Sequence, residues 1–496
     1  MDSSGLITEA NRKWWTLGAM CLSMFMIMLD STVVNVALPS IQKDLHTTVD
    51  QLEWVVNGYT LSFAALLVTG GRLGDIFGRR LIFMIGVVVF AISSATAGLA
   101  PDPTTLVISR IAEGVGGALM MPATLSIITD AFPVEERGKA IGTWAGISGL
   151  ALSFGPLAGG FLTEDVSWRA IFYINLPIAV LALLASLFAV RESRDEKAER
   201  SIDYLGVVLL TVALTSFVLA LIDGNEWGWG STRIIGLLVI GVVTTPIFLF
   251  VESRVSAPIV DFTFFRSRNF IGANTVATII SFAMMGSFFF LAIYLQDLLQ
   301  FSPLATGVRF LPTTIVIVIA APIAGRVADR IGSRWPMVLG LAVTSVSLYL
   351  FAQMDASTGY SDLLPAFILL GLGIGMTMSP MSTAAMNAVD VDKAGVASGT
   401  LQMFRMMGGT IGVAATGAIF QSKLGAFNPA LLAQGGVAEA SKFTDALGAA
   451  MAMGAAVTAV GAVIAAVVIR GKPKHELSAH GGPELPAGTR PPAFGA

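Results

Sequence analysis

Ionisable side chains inside long apolar runs are few in this 496-residue chain, and they bound the chemistry it can do. Asp30 falls within the first run. Burial penalises the charged form of a carboxylate, so such a group can take up and release a proton, and its charge can draw in a cation; a plain structural hydrogen bond is the competing reading. Arg110 and Glu113 are three residues apart and therefore neighbours on one helix face. A guanidinium keeps its proton, so Arg110 would set the charge state of nearby acids while Glu113 titrates; a static ion pair fastening two helices is the alternative. Arg405 is the only charge in the thirteenth run, and it either faces a cavity or snorkels to the near surface. Trp54, Asn57, Tyr59, Phe288, Phe289, Phe290, Tyr294, Met376, Met378 and Met381 supply aromatic faces and thioethers. These suit varied lipophilic ligands, and they suit ordinary helix packing equally well. Asp223, Glu226 and Asp297 fall at run ends, where solvation is expected.

The elements that must position these groups follow from composition. Hydrophobic residues make up 54% of the chain and charged residues 13%, against roughly 25% charged in a soluble domain. A hydrocarbon core of roughly 30 Å takes about 20 apolar residues as a helix. Fourteen such runs follow one another, the first over about 14–38 and the fifth over about 140–162. Backbone groups cannot go unpaired in lipid, and the runs are too long for barrel strands, so the expected fold is an all-α integral membrane bundle of 14 helices. Most of the 30 Lys and Arg fall on one side if the N-terminus is inside, which predicts a multi-pass protein with both termini cytoplasmic. The first run is too long for a cleavable leader and is expected to remain as a helix. From about Gly471 the chain turns to Pro, Gly and Ala, and residues 470–496 are expected to form a disordered cytoplasmic tail.

Several function classes drop out. With 30 basic against 33 acidic residues there is no surplus to neutralise nucleic acid. The single cysteine, Cys21, excludes an intrachain disulfide, and His46, His475 and His480 all lie outside long apolar runs, so neither metal nor cofactor is expected. A phosphate loop of the Gly-x-x-x-x-Gly-Lys type, needed by a primary pump, is absent from the sequence. An integral-membrane lipid enzyme would need clustered His, Cys or carboxylates, and the sequence offers none.

An internal repeat carries the architecture further. Gly71, Arg72, Asp75, Gly78 and Arg80 recur as Gly325, Arg326, Asp329, Gly332 and Arg334, at an offset of 254 residues. Gly138-Lys139-Ala140-Ile141-Gly142-Thr143 is echoed by Gly395-Val396-Ala397-Ser398-Gly399-Thr400 at an offset of 257. Two six-helix halves, 14–190 and 268–469, with an extra helix pair inserted in 191–267, account for the count and for both offsets. Such repeats build alternating-access transporters, whose substrate site lies between the halves. The repeated loop, with Gly71, Arg72, Asp75, Gly78, Arg79 and Arg80 in one copy and Asp329 in the other, is suited to a cytoplasmic latch. Its glycines allow a tight turn, and its aspartates can meet an arginine or a helix N-terminus. Simple anchoring of helix ends is the plainer alternative.

In order along the chain, Leu29-Asp30-Ser31-Thr32-Val33-Val34-Asn35-Val36-Ala37-Leu38-Pro39, the Gly71–Arg80 loop, Arg110-Ile111-Ala112-Glu113-Gly114, Gly149 through Gly155-Pro156-Leu157-Ala158-Gly159-Gly160, and Trp168-Arg169 through Asn175-Leu176-Pro177 resemble the major facilitator superfamily. The likeness is to its 14-helix drug:proton antiporters and covers nearly all of 14–469. It implies a proton-coupled exporter of hydrophobic, drug-like compounds in the cell membrane, working as a monomer among lipids with protons and cargo as partners. Proton coupling would fall to Asp30, Arg110 and Glu113. Substrate contacts would fall to Asp30, Asn35, Trp54, Asn57, Tyr59, Phe289, Tyr294, Met378 and Arg405. Gly149, Gly155, Pro156, Gly159 and Gly160 would pack the fifth helix closely, bend it and seal the cavity against proton leak. Two departures stand out. Glu113 replaces a frequent Gln, and the thirteenth helix lacks the acids found in exporters of lipophilic dications, which leaves room for a lipid or a self-made natural product as cargo.

Overall fold

The computed structural model describes residues 7–9, 11–47, 49–195, 203–255, 258, 260, 262–424 and 437–470. Among these, fourteen long helices follow in order, without a strand. They are α1 (Arg12–Leu45), α2 (Val49–Phe77), α3 (Arg79–Gly98), α4 (Pro103–Ala131), α5 (Val134–Asp165), α6 (Asn175–Ala189), α7 (Tyr204–Trp227) and α8 (Thr232–Glu252), then α9 (Arg268–Ile293), α10 (Pro303–Ile331), α11 (Arg334–Ala352), α12 (Tyr360–Met386), α13 (Ala394–Leu424) and α14 (Val437–Val468). A single turn, Ala170–Tyr173, leads into α6, and a π-turn, Tyr294–Leu298, ends α9. Thirteen helices among the described residues are long and apolar enough to cross a membrane. α5 spans 32 residues, is as apolar on average as α1, and packs lengthwise against α1 and α10.

Helix ends follow local chemistry. Asp102 caps α4 by accepting from the Thr105 amide (2.9 Å) and hydroxyl (2.7 Å), with Pro103 at the first helical position. Ser302 and Pro303 start α10 in the same way.

The pairing of helices repeats. In the first half α1 packs on α5 and α6, α4 on α2 and α3, and α3 on α6; in the second, α9 packs on α13 and α14, α12 on α10 and α11, and α11 on α14. The halves meet crosswise, α5 against α10 and α2 against α13. The extra pair, α7 with α8, lies on the α2–α13 side only. Most of the outward surface of α8 is apolar, including Val239, Val242, Val243 and Phe250. This is an all-helical, multi-pass membrane architecture.

Two expectations shift. Helices run past the apolar runs that announced them, α1 reaching Leu45, because polar residues continue a helix once lipid no longer constrains it. Asp223, expected to be solvated, is buried: α7 continues to Trp227, which places Asp223 a turn inside the helix. Asp297 is exposed. The side chains of Glu226 and Pro156, and the tail beyond Arg470, lie outside the described residues.

Candidate functional site

Two helices bring the interior charges together. α1 contributes Asp30 and α4 contributes Arg110 and Glu113, all essentially without solvent exposure. Nη1 of Arg110 donates to Oδ2 of Asp30 and to Oε2 of Glu113, each at 2.6 Å. Its Nε donates to the Val55 carbonyl on α2 (3.2 Å), and the guanidinium lies 4.3 Å from the Tyr59 ring centre. Tyr59 in turn stacks on Phe63. From the start of α6, Asn175 donates to Oδ1 of Asp30 (3.1 Å) and to the Ser94 hydroxyl (3.0 Å), which itself donates to the Phe172 carbonyl. One cation therefore holds two carboxylates in a dry pocket whose walls are amide, hydroxyl and aromatic groups. Charge in such a place is tolerated only while it is paired, so gain or loss of one proton changes the balance of the whole cluster.

At the end of the bundle that carries the α2–α3 turn, here the basic face, two further carboxylates bridge the halves. Oδ1 of Asp75 accepts from Nε (3.0 Å) and Nη2 (2.8 Å) of Arg79 and from the Gly395 amide (2.9 Å); Oδ2 accepts from the Val396 amide (2.9 Å). Arg79 also donates to the carbonyls of Val391 and Asp392. Asp329 accepts from the amides of Gly138 (2.9 Å) and Lys139 (3.2 Å). Asp75 thus sits on the unpaired N–H groups that open α13, where the helix dipole favours an anion, and Asp329 takes two amides one turn into α5. Gly71 lies against the Gly395 carbonyl and Gly325 against the Gly138 carbonyl, backbone on backbone. Gly78 (φ 120°) and Gly332 (φ 89°) make the turns that follow, in a region of conformation that side chains disfavour. Glu192, beyond α6, caps α3 through the amides of Arg80 and Leu81, and Arg80 reaches the Leu187 carbonyl. Arg72, partly buried, forms no ion pair among the described residues.

Along α5, a side chain at Gly155 or Gly159 would strike Thr32 or Val33 of α1, and one at Gly149 would meet Ile317 of α10; Gly160 has open space beside it. The other positions expected to touch cargo are dispersed. Asn35 and Trp54 are exposed and Asn57 is partly buried, with Asn35 donating locally to the Ser31 carbonyl. Phe289 is half exposed against Phe290. Tyr294 is buried with its hydroxyl donated to the Thr358 carbonyl (2.8 Å), and Met378 lies in the core. Arg405 donates to Oε1 of Gln402 (3.0 Å). Asn175 and Ser94 belong to the charge cluster but were passed over as site residues, because a search for ionisable groups does not find neutral ones. The asparagine of the Ile174-Asn175-Leu176-Pro177 run, polar at the start of an apolar helix, was the available signal.

Comparison with known proteins follows from this geometry. A family model described as Major Facilitator Superfamily matches residues 20–413. The tetracenomycin C resistance and export protein of Streptomyces glaucescens is 36% identical over 88% of this chain and 82% of its own length. The puromycin resistance protein pur8 of Streptomyces alboniger is 38% identical over 81% of each. The multidrug resistance protein Stp of Mycobacterium tuberculosis is 36% identical over 83% of this chain and 76% of its own. Among solved structures, that of the human organic anion transporter MFSD10 (TETRAN) aligns with a TM-score of 0.63 at 12% identity, over 91% of this chain and 99% of that one, a likeness of fold.

Proposed function

The chain belongs to the Major Facilitator Superfamily, a family of transporters, and we propose that it is a proton-coupled exporter of hydrophobic, drug-like compounds working by alternating access. The observation that carries this reading is the shared guanidinium: Asp30 and Glu113 both bond one nitrogen of Arg110, out of reach of solvent. One proton on that pair removes a charge and loosens the hold of α4 on α1. Its release restores the tie. The proton thereby acts on α1 and α4, the second of which also meets α13 of the other half. Family members with resistance and export in their names support the direction and the cargo class.

In this proposal the chain divides into halves at 14–190 and 268–469, the inserted pair within 191–267, and a cytoplasmic tail at 470–496. It acts as a monomer in the cell membrane with both termini in the cytoplasm. The basic face is then the cytoplasmic one, and with both latches engaged this structure is its cytoplasm-closed state. Several relatives are named for a particular natural product, among them the tetracenomycin C export protein and a probable actinorhodin transporter of Streptomyces coelicolor, which favours a dedicated natural product as the second reading.

The test is uptake into proteoliposomes under an imposed pH gradient, with ethidium, puromycin and a hydrophobic acid as probes. The expected result is gradient-dependent uptake of at least one probe by the natural chain and its loss in Asp30→Asn. Asp30→Asn that still concentrates the probe against the gradient would overturn coupling at this cluster.

A further inference from the structure

Ser398, Gln402 and Arg405 stand at i, i+4 and i+7 along α13, on a single helix face. The flanking faces are occupied. Gly395 and Gly399 abut Gly71 and Leu67 of α2, while Gly408 and Gly412 abut Thr278 and Phe282 of α9. At 100° per residue, the Ser398–Arg405 face lies in the sector between those two contacts, turned to the bundle interior, where α4 also meets α13. Ser398 and Gln402 are buried, and Arg405 is partly buried. Each of the three keeps a polar atom without a hydrogen-bond partner among the described residues: the Ser398 hydroxyl, Nε2 of Gln402 and Nε of Arg405. No carboxylate lies within ion-pair distance of Arg405 among those residues, so its bond to Oε1 of Gln402 leaves the positive charge uncompensated.

Asp30 is bonded by Arg110 and Asn175, and Glu113 by Arg110, and neither forms an ion pair with Arg405. The fold does not require the α13 column either. The matching positions of α5, at the repeat offset of 257, are Ile141, Ala145 and Ser148, and the Ser148 hydroxyl is donated to the Trp144 carbonyl in its own helix. Buried donors without partners are costly and are kept where a ligand satisfies them. A guanidinium flanked by an amide N–H and a hydroxyl is the chemistry that recognises a carboxylate or an ionised phenol, often through two parallel bonds.

We infer that Ser398, Gln402 and Arg405 form an anion-recognition column and that the preferred cargo is a hydrophobic acid. The assignment of this ligand as cargo rests on the exporter reading; the site itself does not. The full-length protein in detergent is titrated calorimetrically with 1-pyrenebutyric acid and with its methyl ester, which share a body and differ in charge. The natural chain is expected to prefer the acid by about tenfold or more, the range of a hydrogen-bonded charge. Arg405→Gln collapses that preference to about twofold or less, Arg405→Lys restores part of it, and Gln402→Leu reduces it by itself, which guards against misfolding of any one variant. Equal binding of acid and ester by the natural chain, or an undiminished preference in folded Arg405→Gln, overturns the inference. The two readings fail separately. Acid-selective binding without gradient-driven transport keeps the site and sinks the exporter, whereas gradient-driven uptake of ethidium or puromycin with no acid preference does the reverse.

Discussion

The two aspartate contacts that join the halves on the basic face are built from the same repeat and differ in their partners. At Asp75 the carboxylate is fully buried and takes both the α13 amides and the guanidinium of Arg79, which itself clasps two carbonyls leading into α13. At Asp329 the α5 amides are present, but the residue matching Arg79 is Ser333. One seam is a salt-bridged clasp and the other an N–H cradle. The inserted pair α7–α8 lies along the clasped seam. The difference teaches that a duplicated motif need not carry a duplicated load: the aspartate-to-amide contact came with the repeat, and the arginine was added, or retained, on one side. Opening of the basic face is therefore expected to begin at the α5–α10 seam.

The comparison can be broken most severely at Arg79. Arg79→Ala strands a buried carboxylate, and removing one partner of a buried pair costs about 3–5 kcal/mol. Most molecules are then expected to open at the α2–α13 seam, seen as a longer spin-label distance between cysteines placed at the exposed Phe77 and Asp390. An unchanged distance would show that Arg79 is incidental. Asp329→Asn keeps an acceptor but loses the charge, at an expected cost of about 1–2 kcal/mol, or roughly a tenfold shift in population. Labels at Ile331 and Glu135, both exposed, would report it, and a shift as large as that of Arg79→Ala would erase the proposed ranking. Smallest is the attempt to sharpen the symmetry: Ser333→Arg supplies the missing guanidinium one turn from Asp329. Because Asp329 is less enclosed, the gain should stay under about 1 kcal/mol, read as a modest rise in the closed population.

Much of this was legible in the chain. Fourteen apolar runs gave the helix order, and the repeated Gly-Arg-Asp-Gly-Arg loops marked both seams. What spacing could not convey is which partner comes from far away. Arg110 and Glu113 were visibly one turn apart, but Asp30 is 80 residues from Arg110 on another helix, and only packing joins them. The 138 and 395 segments read as an echo of each other; in space each receives the aspartate of the opposite half. Asn175 and Ser94 carry no charge, so nothing in the polarity of the runs singled them out. The aromatic and thioether positions stayed ambiguous for a different reason. Lipid, core and cavity are all apolar, and Tyr294, committed to the Thr358 carbonyl, shows how a residue suited to ligands can be fully spent on the fold.

The glycine contacts at the seams have an evolutionary consequence. At Gly71, Gly138, Gly325 and Gly395 even a β-carbon would run into backbone from the opposite half. That backbone cannot swing aside as the end of a side chain can. Those sites have no neutral neighbours in sequence space: a change of one base that adds a methyl group acts as a wedge between the halves. On the exporter reading, drift in cargo preference would proceed elsewhere in the bundle, while the contacts that serve every cargo are held to a residue with nothing left to trim.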